Sequence, residues 1–462
     1  MSRQGLGILN DEKEQNFVDP YNFFGSIPIE QDMEKGTYVS VLPTLPIDEN
    51  QTAPIIMEFK NPGVYWDAKN SLLEGELEVE KIDGTPMSDD NTDEYSVVNM
   101  LPIALFKQIN LEMNGVETTE NTSSNHAYKA FIDALVSFSS DAKNDGGTLE
   151  SSFYYQDNPD SVDVKALSSA SGFSNNIWKQ KYDRLKTKDN KLFFSTQLYV
   201  DPLNTPFFIP PHVHPTLTVH RNSNAFLLIT KFPDKYRIKL KKLKWIVHTI
   251  TPSREKLAKH EKLFDNGAIA RIPFVQSRLN HFLLPGNCAN IVINNITPAI
   301  LPKTLYCVMV DHKSFNGTHD TNPFHFKHNN VTSFEFRVNN DIYPTDRYKL
   351  DFKKGDYLPL YRDFMNAVGI GHDNASNNIS LELFEKVYTI FTLDLTPDHC
   401  SGFQIHNPQS GNISLEITFE KVITEPITLL VYGLYNKVLE IKSPGPNLPP
   451  EVKVVDVFEN TK

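Results

Sequence analysis

Two histidines in a short proline-flanked segment could hold a metal ion. His212 and His214 alternate within Pro211–Pro215, so an extended backbone would put both imidazoles on one face. Such a pair would suit a copper monooxygenase built from two β-sandwiches. That enzyme class is secreted and rich in disulfides, whereas this chain has only three cysteines and shows no signal peptide. We therefore interpret the pair as ordinary loop histidines.

A second group could form a structural metal site. It consists of four histidines within 17 residues, namely His312, His319, His325 and His328. Asp311 and Asp320 lie nearby, but the spacing matches no regular ligand pattern, so solvated loop histidines are favoured. No Gly-x-Ser-x-Gly turn, phosphate-binding loop or dinucleotide fingerprint is present. We expect no catalytic residue, no cofactor and no bound metal.

The cysteines give no reactive centre either. Cys288, Cys307 and Cys400 are an odd number and lack the short paired spacings of a zinc site or a disulfide framework. We interpret them as reduced, incidental thiols.

The run Lys239–Lys244 is a candidate DNA-facing patch. Its four cations are Lys239, Lys241, Lys242 and Lys244. Cations placed close together raise local affinity for phosphate, although a net charge of -12 argues against a general nucleic-acid binder. A solvated strand edge that resists wrong pairing is the favoured alternative.

Length and composition indicate the kind of domains in which these residues lie. With 462 residues, 30 Phe, 18 Tyr and 30 Pro, the chain favours two mostly β domains joined by many turns. No apolar run reaches the roughly 18 residues that a membrane span needs. The sequence therefore predicts neither membrane insertion nor secretion.

The first half shows the two-residue period of strands, interrupted once by a helix. Leu73, Leu77 and Val79 alternate with glutamates, and residues 103–113 continue as a strand up to a turn at Asn114–Gly115. Residues 126–138 carry a helical apolar stripe, with Ser123, Ser124 and Asn125 as N-cap candidates. Residues 139–190 form a long excursion anchored by Trp178 and Tyr182. Strands then resume at 191–200, 216–220, 225–230 and 236–249.

The second half repeats this order. Strands are predicted at 268–276, 280–284, 289–294, 304–311 and 331–338. Asn339–Asn340 stands where Asn114–Gly115 stood, and the following stretch is a helix capped by Asp356 and closed by Gly369. Further strands are predicted at 387–395, 413–419 and 427–435. The same β-helix-β unit is thus used twice.

Two such units, each of about 200 residues with many short strands, predict a double jelly roll. The fold class is mostly β: two tandem jelly-roll β-sandwiches, each with a short helix, plus extended terminal arms. The predicted boundaries are 1–50 for an N-terminal arm with an aromatic cluster, 51–252 and 253–442 for the two jelly rolls, and 443–462 for a proline-rich tail. Terminal arms of this kind are expected to clasp a neighbouring molecule.

Four segments resemble a known family. Leu101–Val116 and Asn125–Phe131 look like the first jelly roll of the major capsid proteins of Polinton/Maverick elements and adintoviruses. Gly411–Phe419 and Pro426–Ile441 are similar to the closing strands of that family's second jelly roll. These motifs are strand and helix patterns, and their order and spacing across two domains carry the resemblance.

The resemblance implies a capsid protein of the adenovirus-hexon-like lineage. It implies homotrimeric, pseudo-hexameric capsomers that tile an icosahedral shell around double-stranded DNA, with neighbouring capsomers, penton and minor capsid proteins and the packaged DNA as partners. It also implies localisation in the virion. A carbohydrate-binding or adhesin β-sandwich is the main alternative, with Trp66 and Trp178 as candidate displayed aromatics.

Overall fold

The computed structural model describes most of the chain. The described residues are 32–48, 53–61, 63–87, 95–120, 125–144, 146–159, 177–297, 299–339, 341–344, 348–371, 375–397, 409–443 and 449–457. Within them, buried apolar side chains form one continuous cluster that runs through both halves of the chain.

The first domain contains ten strands among the described residues. They are β1 (Met33–Val41), β2 (Ile55–Glu58), β3 (Tyr65–Lys81), β4 (Tyr95–Val97), β5 (Phe106–Met113), β6 (Val116–Glu117), β7 (Lys191–Thr196), β8 (Pro215–Arg221), β9 (Leu228–Thr230) and β10 (Tyr236–Pro252). Its helices are α1 (Leu101–Ala104), α2 (His126–Ser137), α3 (Ser140–Lys143), α4 (Ile177–Lys186) and α5 (Asn224–Leu227), with a 3-10 helix at Thr148–Ser152.

The second domain begins after β10 with a helix. Its helices are α6 (Arg254–Asp265), α7 (His312–Asn316), α8 (Leu358–Val368) and α9 (Leu381–Lys386), with a 3-10 helix at Phe352–Lys354. Its strands are β11 (Ile269–Leu284), β12 (Cys288–Thr297), β13 (Thr304–Asp311), β14 (Val331–Val338), β15 (Asp341–Tyr343), β16 (Phe391–Asp394), β17 (Ile413–Ile423), β18 (Ile427–Lys442) and β19 (Glu451–Asp456).

Both domains have the same sheet topology. The first contains the sheets β1-β10-β3-β7 and β2-β8-β5-β6, and the second contains β11-β18-β13-β16 and β12-β17-β14-β15. If the short pair β4-β9 and the added strand β19 are set aside, the eight main strands of each domain read 1-8-3-6 and 2-7-4-5 in chain order. Two antiparallel sheets wound in this order are a jelly roll, so the predicted fold class is confirmed.

The side-chain period explains why β3 forms as predicted. Leu73, Leu77 and Val79 are buried. Between them Glu74 and Glu78 are partly exposed, and Glu76 is buried and paired with Lys242. The next reversal also follows the prediction, because Asn114 and Gly115 adopt φ values of 50° and 78° between β5 and β6.

The two predicted helices form, but neither Asp356 nor Asn125 acts as a predicted N-cap. α2 and α8 match residues 126–138 and 356–369, and Gly369 closes α8 with a φ of 83°. Asp356 does not cap α8, because Tyr357 is the N-cap residue and makes no side-chain hydrogen bond there. Asn125 precedes α2 without a side-chain cap, and Ser123 and Ser124 lie outside the described residues.

Several predicted boundaries differ from the structure. Residues 1–50 were predicted to form an arm outside the first sandwich. β1 lies within this range, yet it pairs with β10 from Met33↔Pro252 to Val41↔Trp245. In the predicted tail, β19 pairs with β18. Residues 103 and 104, predicted as the start of a strand, lie in the helix α1, and the two strands predicted at 268–276 and 280–284 form one strand, β11. Pairing with a distant strand sets the bounds of β1, β11 and β19, and a local pattern does not contain that information.

Candidate functional site

The four candidate DNA-facing lysines lie on β10 opposite a row of glutamates on β3. The register places Lys239 opposite Glu78, Lys242 opposite Glu76 and Lys244 opposite Glu74. The ion-pair distances are 2.8 Å for Lys241–Glu78 and 2.7 Å each for Lys242–Glu76 and Lys244–Glu74. Lys241 has its pKa raised by the hydrogen bond with Glu78.

These contacts balance the charge of the lysine strand within the sheet. Each partly exposed pair contributes only about 0–1 kcal/mol to stability, so their main effect is on the surface potential. β10 lies between β1 and β3, but β1 pairs only with residues 245–252, so among the described strands the run Lys239–Lys244 pairs with β3 alone and has an edge, in line with the favoured alternative.

The proline-flanked histidines do not share a face of an extended segment. His212 has a φ of 64°, which reverses the backbone, and both side chains are exposed in the loop before β8. Nδ1 of His214 accepts a hydrogen bond from the Asn61 backbone N–H at 3.1 Å. Partial burial lowers the pKa of His214, and the neighbouring His212 adds to this shift. The side chain of His214 therefore stabilises the turn through its contact with Asn61.

The second histidine group is spread over separate contacts. His312 pairs with the Thr428 hydroxyl at 2.9 Å, His319 with the Leu228 carbonyl at 3.1 Å, and His325 with the Lys386 carbonyl at 2.9 Å. His328 stacks on Phe352 with ring centroids 4.1 Å apart, and burial lowers its pKa to about 4. All four are partly buried, so the expectation of solvated histidines is wrong.

Within the described residues, no three His, Cys, Asp or Glu side chains are arranged to hold a metal ion. Cys307 is buried, which raises the pKa of its thiol, and Cys288 is partly buried; both are free thiols. Cys400 lies outside the described residues. None of the helices in the described part of the chain has the length and apolarity of a membrane span.

The two candidate carbohydrate-binding tryptophans are not displayed. Trp66 and Trp178 are both 0% exposed. Nε1 of Trp66 donates to the Ser71 hydroxyl at 2.8 Å, and the ammonium of Lys181 lies 4.6 Å from the Trp178 ring centroid. Sugar-binding platforms need accessible aromatic faces, so neither residue can serve as one.

A buried, largely aromatic contact joins the two jelly rolls, and we call it the interdomain seam. α2 is its first-domain component, and the segment between β13 and β14 is its main second-domain component. Phe131 stacks on Phe324 with centroids 4.2 Å apart, and Tyr128 lies 5.6 Å from both Phe315 and Phe324. Desolvated aromatic clusters of this kind dominate the energetics of interfaces.

A buried carboxylate ties the seam together. Oδ2 of Asp201, before β8, accepts hydrogen bonds at 2.9 Å from Nζ of Lys129, from the backbone N–H of Ser277 and from the Ser277 hydroxyl. Lys129 is on α2 and Ser277 is on β11, so one side chain links both domains. Glu120 and Arg278 form a second ion pair across the seam. Burial raises the pKa of Glu120, and Arg278 opposes that shift.

The seam also contains a lysine without a carboxylate contact. Nζ of Lys143 donates to the carbonyls of Leu135 and Asn377 at 2.7 Å each, and desolvation lowers its pKa to about 7. Nearby, the hydroxyl of Tyr388 donates to buried Asp157. Charged groups placed this deeply orient the two domains, because each has few partners that can satisfy it.

Sequence reasoning does not find the seam. The apolar stripe of α2 is visible in the sequence, but its partners Phe324 and Phe326 lie in what looks like a histidine-rich loop. The sequence does contain one indication of this contact, because Phe324 and Phe326 are separated by a single residue. Two aromatic residues at that spacing lie on the same face of an extended segment.

An open groove lies beside the lysine strand. It has a volume of about 880 Å³ and is lined by residues 42–47, by Phe193 of β7 and by the Glu–Lys pairs of β3 and β10. Leu45 and Phe193 are 76% and 65% exposed.

No protein-family model matches this chain. An uncharacterized protein of Caenorhabditis elegans is 22% identical over 353 residues, which cover 75% of this chain and 80% of that protein.

Solved virus structures share the arrangement of both domains. The cryo-EM structure of the Sputnik virophage matches with a TM-score of 0.60 at 11% identity, covering 98% of this chain and 94% of that chain. The mavirus major capsid protein matches with a TM-score of 0.51 at 9% identity, covering 98% and 97%. A PBCV-1 virus capsid chain matches with a TM-score of 0.51 at 10% identity, covering 94% and 100%. The chain therefore has the double jelly-roll fold of viral major capsid proteins.

Proposed function

We propose that this chain is a major capsid protein that self-assembles as trimeric, pseudo-hexameric capsomers into an icosahedral shell enclosing double-stranded DNA. The observation that carries the proposal is the pair of jelly rolls with identical strand order, joined by a buried seam. A chain with two similar domains offers two similar surfaces for contacts with its neighbours, which suits a subunit of a hexagonal tiling.

The trimer follows from the internal repeat. Hexagonal tiling needs units with a sixfold-like outline, and a threefold operator acting on two similar sandwiches supplies six. Heterologous contacts from the first domain of one chain to the second domain of the next would close the ring. Obligate interfaces of this kind commonly bury more than about 2,000 Å².

The remaining partners follow from the same role. Neighbouring capsomers, penton proteins and minor capsid proteins would contact the surfaces that the trimer leaves free, the packaged DNA would lie on the inner side of the shell, and the protein would reside in the virion. We infer a structural role without catalysis, cofactor or bound metal. Its support is that the histidines which could have formed a metal centre have separate structural contacts.

The direct experiment measures the assembly state of the purified full chain. Light scattering at micromolar concentration should give about three times the chain mass of 52.6 kDa, and negative-stain microscopy should show hexagonal particles or shells. A stable monomer, or a twofold dimer without larger particles, would contradict the proposal. Elemental analysis of the same sample tests the inferred absence of a metal, since one copper or zinc per chain would refute it.

A further inference from the structure

The open groove beside the lysine run has apolar walls that its own domain leaves uncovered. We call it the β7 groove; residues 42–47 and Phe193 of β7 line it. Leu42, Leu45 and Phe193 are 67%, 76% and 65% exposed. None of these three side chains packs against the hydrophobic core of the chain. An exposed cluster of large apolar side chains is typical of a surface that binds a partner.

The wall that carries Leu42 and Leu45 forms where the chain leaves β10. β1 pairs with β10 as far as Val41↔Trp245. Three residues later, the Thr44 backbone N–H donates to the carbonyl of Ile56 in β2 at 2.8 Å, and the Thr44 hydroxyl donates to the same oxygen at 2.7 Å. Residues 42–47 therefore cross from one sheet of the sandwich to the other, and these two hydrogen bonds hold the wall in place.

The chemistry of the groove favours an uncharged, apolar occupant. Its charged residues are already paired, because Lys242 contacts Glu76 and Lys244 contacts Glu74 at 2.7 Å each. An occupant therefore has no unpaired charge to compensate. The volume of about 880 Å³ lies near the upper end of the range of binding pockets, so it can take several aromatic side chains.

The chain itself contains a segment of this chemistry outside the described residues. Residues 17–29, which we call the aromatic segment, contain four aromatic residues, whereas no other segment outside the described residues contains more than one. The four are Phe17, Tyr21, Phe23 and Phe24. Asp19 is the only charged residue of the segment. Buried aromatic side chains contribute strongly to the energetics of interfaces.

The aromatic segment joins the described chain at the end of β1 that lies far from the groove. The Asp32 carbonyl accepts from the Ser253 N–H at 2.9 Å, and its carboxylate pairs with Lys256 at 2.8 Å, so the chain follows β10 as far as Asp32. From Asp32 to Leu42, ten residues of extended chain span about 33 Å. Phe24, eight residues before Asp32, reaches at most about 29 Å. Phe24 therefore falls short of the groove of its own chain, even before the reversal in direction that such a path requires.

We propose that the β7 groove binds the aromatic segment of a second copy of this chain. The aromatic side chains of the segment cover Leu42, Leu45 and Phe193. Each chain supplies one segment and one groove, so the contact is heterologous, and three such contacts in the same sense close a ring. This inference rests on the proposed capsomer and names the partner of the groove.

The direct test is a disulfide between two differently tagged full-length chains that are co-expressed. One chain carries Phe24→Cys and the other carries Leu45→Cys. Both carry Cys288→Ser and Cys400→Ser, while Cys307 is retained because it is buried. Oxidation should join the two tags in one covalent species, since a disulfide forms only where the two Cα atoms lie within about 7 Å. Neither chain has both engineered thiols, so the link can form only between copies.

Matched variants separate the groove from other exposed apolar residues. Phe232 belongs to the same domain, is 45% exposed and does not line the groove. A chain with Phe232→Cys in place of Leu45→Cys should therefore not link to the Phe24→Cys chain. Phe193→Ser should raise the dissociation constant of the oligomer about tenfold or more, because an aromatic side chain no longer becomes buried on binding. Phe232→Ser should leave that constant unchanged, and thermal unfolding should show that both serine variants keep the wild-type fold.

The outcomes distinguish this inference from the proposed function. If the wild type is oligomeric but the Phe24→Cys and Leu45→Cys chains do not link, the groove contact is overturned and the capsomer proposal stands. Unchanged affinity of Phe193→Ser overturns the groove contact as well. A single chain carrying both engineered cysteines that links only internally would show that each groove holds its own segment, which overturns the assignment to a second copy. A wild-type chain that forms no oligomer overturns both proposals.

Discussion

At the scale of single residues, the seam depends on one carboxylate that serves both domains. Asp201 accepts one hydrogen bond from Lys129 of α2 and two from Ser277 of β11, and its side chain is only 4% exposed. Its removal leaves an ammonium and a backbone N–H without their partner in a dry environment. Such orphaned groups cost more than the original contacts contribute, because water cannot replace the missing acceptor.

We predict that Asp201→Ala lowers the free energy of unfolding by about 3 kcal/mol. The matched control is Glu80→Ala, which breaks the more exposed Arg237–Glu80 pair and should cost about 0–1 kcal/mol. Urea denaturation at a fixed protein concentration measures both changes. Equal losses in the two variants would show that Asp201 is no more important than a surface carboxylate.

Lys143 gives the seam a pH dependence whose sign can be worked out. Its pKa falls from 10.5 to about 7 because the folded chain desolvates the ammonium. Between about pH 7 and 10.5 the unfolded chain therefore binds more protons at this residue than the folded chain does, so stability rises with pH across that window. Below about pH 7 both states are protonated, and the full desolvation cost is present.

We predict that Lys143→Met removes this slope. The unfolding free energy of wild type minus that of the variant should increase as the pH rises from 7 to 10, by up to about 1.4 kcal/mol for each step of one in pH. Because other titrating groups are common to both proteins, they cancel in the difference. Parallel stability profiles over this range would contradict the assignment of the pH dependence to Lys143.

At the scale of elements, the periodicity of apolar residues correctly predicted those strands, turns and helices that depend on neighbouring residues alone. The alternation in β3, the turn at Asn114–Gly115 and the stripe of α2 each depend on neighbouring residues, and all three form as expected. β1 has no such signal, because nearly all of its residues are exposed and only its pairing with β10 makes it a strand. The α2–Phe324 contact was equally hidden, since it joins segments almost two hundred residues apart in sequence.

The lysine run on β10 shows that a cluster of charges in a sequence cannot be interpreted until the oppositely charged residues that lie beside it in the fold are known. In the sequence, Lys239–Lys244 is a basic patch, but in the folded chain a glutamate strand lies alongside it. The alternating glutamates of β3 were visible in the sequence. The antiparallel register that sets them opposite the lysines was not, because sheet order is a property of the whole domain.

We predict that removing the glutamates exposes a DNA-binding surface which the wild type lacks. A variant with Glu74→Gln, Glu76→Gln and Glu78→Gln should bind duplex DNA more tightly at low salt. The slope of log affinity against log salt should become steeper by about 0.9 for each phosphate newly contacted. Titration of both proteins from about 50 to 200 mM salt measures this. Measurable binding by both proteins with equal slopes would show that the wild-type lysines are already available to phosphate.

At the scale of the whole molecule, the two terminal segments allow the residues needed for folding to be distinguished from those needed for assembly. The sequence predicted arms at 1–50 and 443–462, but β1 and β19 belong to the sheets of their own domains. The clasp hypothesis therefore applies only to the residues before β1. These include the aromatic cluster Tyr21, Phe23 and Phe24, which lies outside the described residues. Aromatic segments next to a folded domain are suited to contacts with a neighbouring subunit.

We predict that two truncations that differ by ten residues act on different properties. Deleting residues 1–31 keeps β1 and should leave the unfolding temperature unchanged while weakening assembly, seen as fewer shells or capsomers in negative stain at equal concentration. Deleting residues 1–41 also removes β1, which pairs with β10 from Met33 to Val41, and should destabilise the first jelly roll itself. Its unfolding temperature should fall by several degrees, since a loss of about 1 kcal/mol shifts the unfolding temperature of a domain of this size by roughly 2–4 °C.

If the shorter deletion assembled as wild type does, the N-terminal segment would have no clasp function. If it unfolded early, that segment would belong to the sandwich.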